Sequence, residues 1–157
     1  MIKKKKTNRQ KLIKQLDELA SKIVRKRDGC CMLCGNKETL QAHHYIVTKG
    51  RSTKYRWDLR NLITLCYACH LYKVHSTASI QYIDLIKKSA IMNHIATEEE
   101  IDSIKNDFTL ANFSIGDLER IKKELEEQLN ENKPNRSCNQ CTRRNNNQAG
   151  IYKLSGC

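Results

Sequence analysis

The sequence predicts an α+β fold: a small core of short strands and a helix stapled by zinc, with an amphipathic helix before it and further helices after it. Three observations predict this. Two Cys-x-x-Cys pairs, Cys31/Cys34 and Cys66/Cys69, bracket segments that read as extended. Apolar residues ahead of the first pair recur at helical spacing, and after the second pair the chain is helical by pattern as far as about residue 131.

At 157 residues the chain is long enough for one ordinary core with appendages. Eight cysteines would suit a disulfide framework in a secreted protein, but Met1 is followed by IKKKKTNRQ rather than an apolar signal segment. A reducing, cytoplasmic compartment is expected, where clustered cysteines more often bind metal. No run of about eighteen apolar residues is present, so no membrane partner is expected. The net charge of +12 is uneven: +9 over residues 1–27, +4 over 28–75, −6 over 76–131 and +5 over 132–157. A basic first half suggests a face turned to a polyanion, and nucleic acid is the obvious one.

The elements follow in order. Residues 1–27 form a basic arm and helix: Leu12, Ile13, Leu16, Leu19, Ala20, Ile23 and Val24 share one helical face, and Lys3 to Lys6 precede it as an arm. Asp28-Gly29 ends the helix, and Cys31-Met32-Leu33-Cys34-Gly35 is a tight metal-binding turn. An extended segment runs from about Leu40 to Val47, a polar loop from Thr48 to Trp57, and a short apolar strand from Leu62 to Leu65. A helix starts at Tyr67 or Ala68 and closes the core, residues 28–76.

The helical extension, residues 77–131, holds a helix over about 77–95, a second started by a Thr97/Glu100 capping box, and a third started by Ser114 and Asp117. Its apolar stripes could pair two copies as a homodimer or cover the core. Residues 132–157 are polar, with the single proline and a run of asparagines, and read as a flexible tail. Cys138, Cys141 and Cys157 there offer three thiols, one ligand short of a closed zinc site.

Four thiolates, Cys31, Cys34, Cys66 and Cys69, are enough to close one tetrahedral Zn²⁺ site, with Cys30 a bystander because only Cys31 has the two-residue spacer to Cys34. That leaves the imidazoles for a second, open site. Four of the five histidines fall between residues 43 and 75. Neighbouring strand residues point to opposite faces, so His43 and His44 do different jobs unless the strand bends: one suits a metal, the other a substrate.

AHHYIV followed by RWDLRNLITLCYACH resembles the HNH endonuclease family, the ββα-metal nucleases, and its small phage-type members above all, over about residues 28–76. The resemblance implies a β-hairpin and helix gripping one divalent ion, with the cysteine pairs on structural zinc. It implies that His43 and His70 are metal ligands, that His44 is the general base, and that Asn61 orients the His44 side. The divalent ion would be Mg²⁺, Mn²⁺, Ni²⁺ or Zn²⁺. His75 departs from the pattern: it lies five residues after His70, about 140° around an ideal helix. It joins the metal only if the helix ends early or distorts; otherwise it suits phosphate contact.

Lys49, Arg51, Lys54, Arg56 and Arg60 surround the loop and suit sequence-independent contact with a phosphate backbone. For Arg51 and Arg56 the competing role is plain solvation, and Trp57 reads as a core anchor beneath the loop. The expected function is metal-dependent hydrolysis of DNA phosphodiesters in a bacterial or phage-infected host cell. Two alternatives stand beside it: a zinc-stapled nucleic-acid-binding module without catalysis, and a phage recombination or packaging factor.

Overall fold

Thr7 begins the first described element because its hydroxyl accepts from the Gln10 amide while the Gln10 side chain accepts from the Thr7 amide, a complete capping box. Helix α1 (Asn8–Asp28) ends at Gly29, whose φ of 67° is the left-handed conformation that closes a helix. The computed structural model describes residues 7–76 and 79–131, so the Lys3–Lys6 arm, the polar tail and Cys138, Cys141 and Cys157 lie outside the described residues.

Strands β1 (Leu40–His44) and β2 (Leu62–Cys66) pair antiparallel in a two-stranded sheet, with His44 opposite Leu62 and Leu40 opposite Cys66. All five residues of β2 are buried, and the alternation of a strand sorts them to two sides. Leu62 packs into the apolar seam of α1, and the Thr64 hydroxyl donates to the Val24 carbonyl. Ile63 and Leu65 face the opposite layer. Asp28, 6% exposed, ties the end of α1 to the sheet by accepting from the Thr64 amide at 2.8 Å.

A π-helix, Cys69–Val74, follows β2 directly, and α2 (Ser79–Met92) and α3 (Glu98–Asn106) complete that opposite layer with Ile86, Ala90 and Ile101. Thr97 and Glu100 form the expected capping box. Helix α4 (Ile115–Glu131) returns to the first side, where Leu118 and Leu125 are buried against Leu16, Ala20 and Ile23. The α4 stripe is thus occupied by α1, each fully buried leucine contributing about 1.5–3 kcal/mol. No described helix is long and apolar enough to cross a membrane.

Two boundaries differ from the pattern. The extended segment loses its sheet partner after His44, because the amides of Ile46 and Val47 turn to the Asn61 side chain. The helix expected to reach residue 95 stops at Met92, and His94 adopts a positive φ of 53° that returns Ile95 to the core.

Asn61, 0% exposed, knits the 45–57 loop shut: Oδ1 accepts from Ile46 and Val47, and Nδ2 donates to the carbonyls of Val47 and Tyr55. Asn61→Ala would strand four backbone groups, so a loss of about 3 kcal/mol is expected. A melt of the zinc-loaded variant should show the midpoint down by roughly 6–12 °C; a change under about 2 °C would mean that the loop closes without this side chain.

Candidate functional site

Four sulfurs meet where the turn after α1 touches the end of β2. Cys31, Cys34, Cys66 and Cys69 offer ligand atoms all within 4.8 Å of one another, and the sulfurs of Cys34 and Cys66 are 3.6 Å apart. A tetrahedron with Zn–S bonds of about 2.3 Å needs sulfur separations of about 3.8 Å. Gly35, at φ 76°, makes the knuckle possible and its amide returns to the Cys31 carbonyl. The Cys69 thiol donates to Cys31 and holds its thiol down to about 4, whereas burial pushes Cys34 up to about 12. Cys69 is pushed up as well, by its contact with Cys31, so one thiolate is ready while Cys34 and Cys69 need a cation to ionise, the donor chemistry that suits structural zinc. Cys30 is buried and outside the four.

A second cluster begins one residue later. His43, His70 and His75 also place one ligand atom each within 4.8 Å of the others. The ring centroids lie 4.9 Å apart for His43 and His70, 4.9 Å for His70 and His75, and 5.5 Å for His43 and His75. The π-helix explains how His75 joins. Its i→i+5 bonding widens the turn and shrinks the offset that an α-helix would impose on residues five apart, so that His75, capping its end, falls beside His70. The two Nε2 atoms of His70 and His75 are 3.3 Å apart, and two nitrogens bound at about 2.0–2.1 Å to one ion lie about 3.0–3.4 Å apart.

Gln41 sets the tautomer of His70. Its Oε1 can only accept, so the 2.6 Å bond requires a proton on His70 Nδ1 and leaves the Nε2 lone pair toward the cluster. Burial, with the neighbouring imidazoles, pushes His43 down to about 3 and lowers His70, keeping both neutral as ligands must be. Gln41→Ala is expected to weaken Mn²⁺ or Ni²⁺ binding about 10- to 100-fold. Calorimetric titration of the zinc-loaded protein checks this; unchanged affinity would remove Gln41 from the centre.

His44 points elsewhere. Its Nε2 is 2.8 Å from the Arg56 carbonyl oxygen, an atom that only accepts, so Nε2 carries the proton and Nδ1 keeps a lone pair. Burial lowers its pKa despite that bond, so the ring is neutral at neutral pH. A cavity of about 370 Å³ joins the two histidine environments and is lined by His43, His44, His70, His75, Lys49 and Asp17. Asn61 does not reach into it; its side-chain bonds hold the loop that carries Arg56.

The five loop cations part company. Lys54 pairs with Asp107 at 2.6 Å, and Arg60 pairs with Asp58 at 2.7 Å and Glu100 at 3.1 Å. Arg51 donates to the Lys105 carbonyl and lies over the Phe108 ring. Arg56 pairs with Asp17, and Trp57 is 7% exposed beneath it, donating its indole N–H to the same carboxylate. Among the described residues Lys49 makes no hydrogen bond or ion pair, and it lines the cavity. Gln41 and Asp17 were missed in the sequence. Gln41 shares a strand face with His43 two residues on, a signal that was there to use; Asp17 is one of three acids within a basic helix, with no local mark.

Residues 1–135 match the family of the bacteriophage lambda NinG protein. The chain belongs to the NinG family. No curated protein and no solved structure matches it. The NinG match corrects the HNH endonuclease resemblance, which rested on about residues 28–76 alone and gives way to a family spanning most of the chain. The physical reason is that short runs of cysteine and histidine repeat wherever a turn must offer two ligands to one ion, so such spacing marks a metal site more surely than a lineage. What stands for this NinG-family chain is a small α+β fold, a two-stranded sheet and a four-cysteine cluster that fits zinc.

Proposed function

We propose that the chain is a phage recombination-related protein that acts on DNA, with the four-cysteine site as its zinc staple and the His43/His70/His75 centre as a second metal site where a phosphodiester is hydrolysed. The observation that carries the reading is the shared cavity, in which three converging imidazoles and the separately held His44 meet beside Lys49. A scaffold already stapled by four sulfurs has no structural need of a second ligand cluster opening on solvent. Membership of a phage family supports the recombination setting and action inside the host cell.

A divalent ion in that centre would draw charge from a phosphate oxygen and ease departure of the leaving oxygen. The chain's own groups do the rest. His44 Nδ1 takes a proton from water while the water oxygen bonds to phosphorus, the ester P–O bond breaks, and solvent protonates the departing oxygen. Lys49 holds a flanking phosphate in a sequence-independent way.

The test is cleavage of plasmid and of branched DNA by the zinc-loaded protein, with Mg²⁺, Mn²⁺ and Ni²⁺ in turn. Cutting with at least one ion, and none without, is the expected result. If DNA is bound but left intact under every ion, the hydrolytic reading is lost. The second reading then stands, a zinc-stapled DNA-binding module, which draws on the four-cysteine site and the family alone.

A further inference from the structure

The cavity has one wall that the metal chemistry does not use. Asp17 projects from α1 into it, and its carboxylate makes three bonds at once. Oδ1 accepts from Arg56 Nε at 2.9 Å and from Trp57 Nε1 at 2.9 Å, and Oδ2 accepts from Arg56 Nη2 at 2.7 Å. The guanidinium also lies 5.5 Å from the Trp57 ring centroid. Burial raises the Asp17 pKa, but the bonds from Arg56 and Trp57 outweigh it and keep the carboxylate charged.

The grip falls on the one residue whose main chain holds His44. The carbonyl of Arg56 accepts from His44 Nε2, and on either side the loop is pinned: Tyr55 by its carbonyl to Asn61, Trp57 by Asp17 and the α1/α4 seam. A two-pronged Arg–carboxylate pair fixes orientation as well as distance, which a lysine cannot reproduce.

We propose that Asp17 is a positioning residue for His44: by clamping Arg56 and Trp57 from α1, it fixes the carbonyl that holds His44 with its proton on Nε2 and its lone pair on Nδ1. Arg56 is then a structural relay rather than a phosphate contact, and α1 is part of the site. The inference rests on the reading of His44 as the base, and it makes a claim about His44 geometry that can be read without any cleavage.

Two single variants test it, Asp17→Asn and Arg56→Lys, together with their double mutant. Arg56→Lys keeps the charge that a phosphate contact needs and loses the fork, and with its side chain partly exposed it guards against a folding failure of Asp17→Asn. Each single variant should lower kcat about 10- to 100-fold with KM within about twofold, a loss of the size expected when a reacting group is misplaced. The double mutant should be no slower than the worse single, because both break one connection. In ¹⁵N-resolved NMR spectra the His44 ring should lose its single Nε2–H tautomer in both, while zinc content stays at the wild-type value.

A wild-type tautomer and kcat in either folded variant would overturn the clamp. So would an Arg56→Lys effect confined to KM. If the wild type cuts no DNA, hydrolysis fails as the function, and the tautomer in the two variants still decides whether Asp17 holds His44.

Discussion

Cys66→Ser is expected to leave the chain without its tightly held zinc and without a folded sheet. Cys66 ends β2, opposite Leu40 in the register, and its sulfur is 3.6 Å from that of Cys34. The staple thus ties the turn after α1 to the end of the sheet and to the start of the π-helix through Cys69. Structural zinc sites bind with about 10–16 kcal/mol, as much as or more than the roughly 5–15 kcal/mol that separates a folded domain from its unfolded state. Cys34 and Cys69, which burial and mutual contact disfavour as anions, have little else to hold them. Zinc release on a colorimetric chelator should give one ion per wild-type chain and none per variant, with the thermal transition lost. A Cys66→Ser protein that melts like the wild type would show that the four thiols are a packing feature rather than a staple. His70 follows Cys69 directly, so the histidine centre should be lost along with the zinc.

His44→Ala carries the other large effect. Under the hydrolysis proposed above His44 is the general base, and removal of a positioned base costs typically 10²- to 10⁴-fold, or about 3–5 kcal/mol of barrier. His44 stands apart from the cluster of His43, His70 and His75, bonded instead to the Arg56 carbonyl. The variant should therefore keep its zinc and bind Mn²⁺ as the wild type does, while cleavage of plasmid falls by at least two orders of magnitude. Cutting at the wild-type rate would sink the assignment. A parallel loss of Mn²⁺ binding would instead make His44 a ligand.

The uneven charge along the chain illustrates how far a linear reading goes. The basic loop and the acidic segment from residue 76 to 131 look like opposite faces in the sequence. In the fold they meet, with Lys54 on Asp107 and Arg60 on Glu100, while Arg60 also pairs within its own segment with Asp58. Exposed pairs of this kind stabilise little, yet they place three acidic side chains beside the loop. The basic character left for a DNA backbone at the cavity rests on Lys49 far more than composition implies.

Local chemistry determined much from the sequence alone. Two-residue spacers between cysteines pick out the four that cluster in the fold, because a tight turn offers two sulfurs on one side of a tetrahedron. Helical periodicity placed α1 and α4, and Thr97 with Glu100 marked the start of α3, because these signals act within one or two turns of chain. Asn61 was singled out as important, though its partners are loop backbone groups. A resemblance built on the same ligand spacing went too far when it named a family, since spacing reports a coordination geometry that many lineages share.

The tertiary structure decided the rest. His75 meets His43 and His70 because the chain from Cys69 to Val74 winds as a π-helix, whose wider turn reduces the misfit of a five-residue spacing, with His75 capping its end. Gln41 meets His70 across 29 residues, and Asp17 meets Arg56 across 39. Such partners are set by where packed elements come to rest, and no pattern within either segment encodes the other. The cysteines and histidines were therefore legible as a list of residues, while their division into a four-sulfur cluster, a three-imidazole cluster and a His44 bonded to the Arg56 carbonyl exists only once α1, the sheet and the π-helix are packed together.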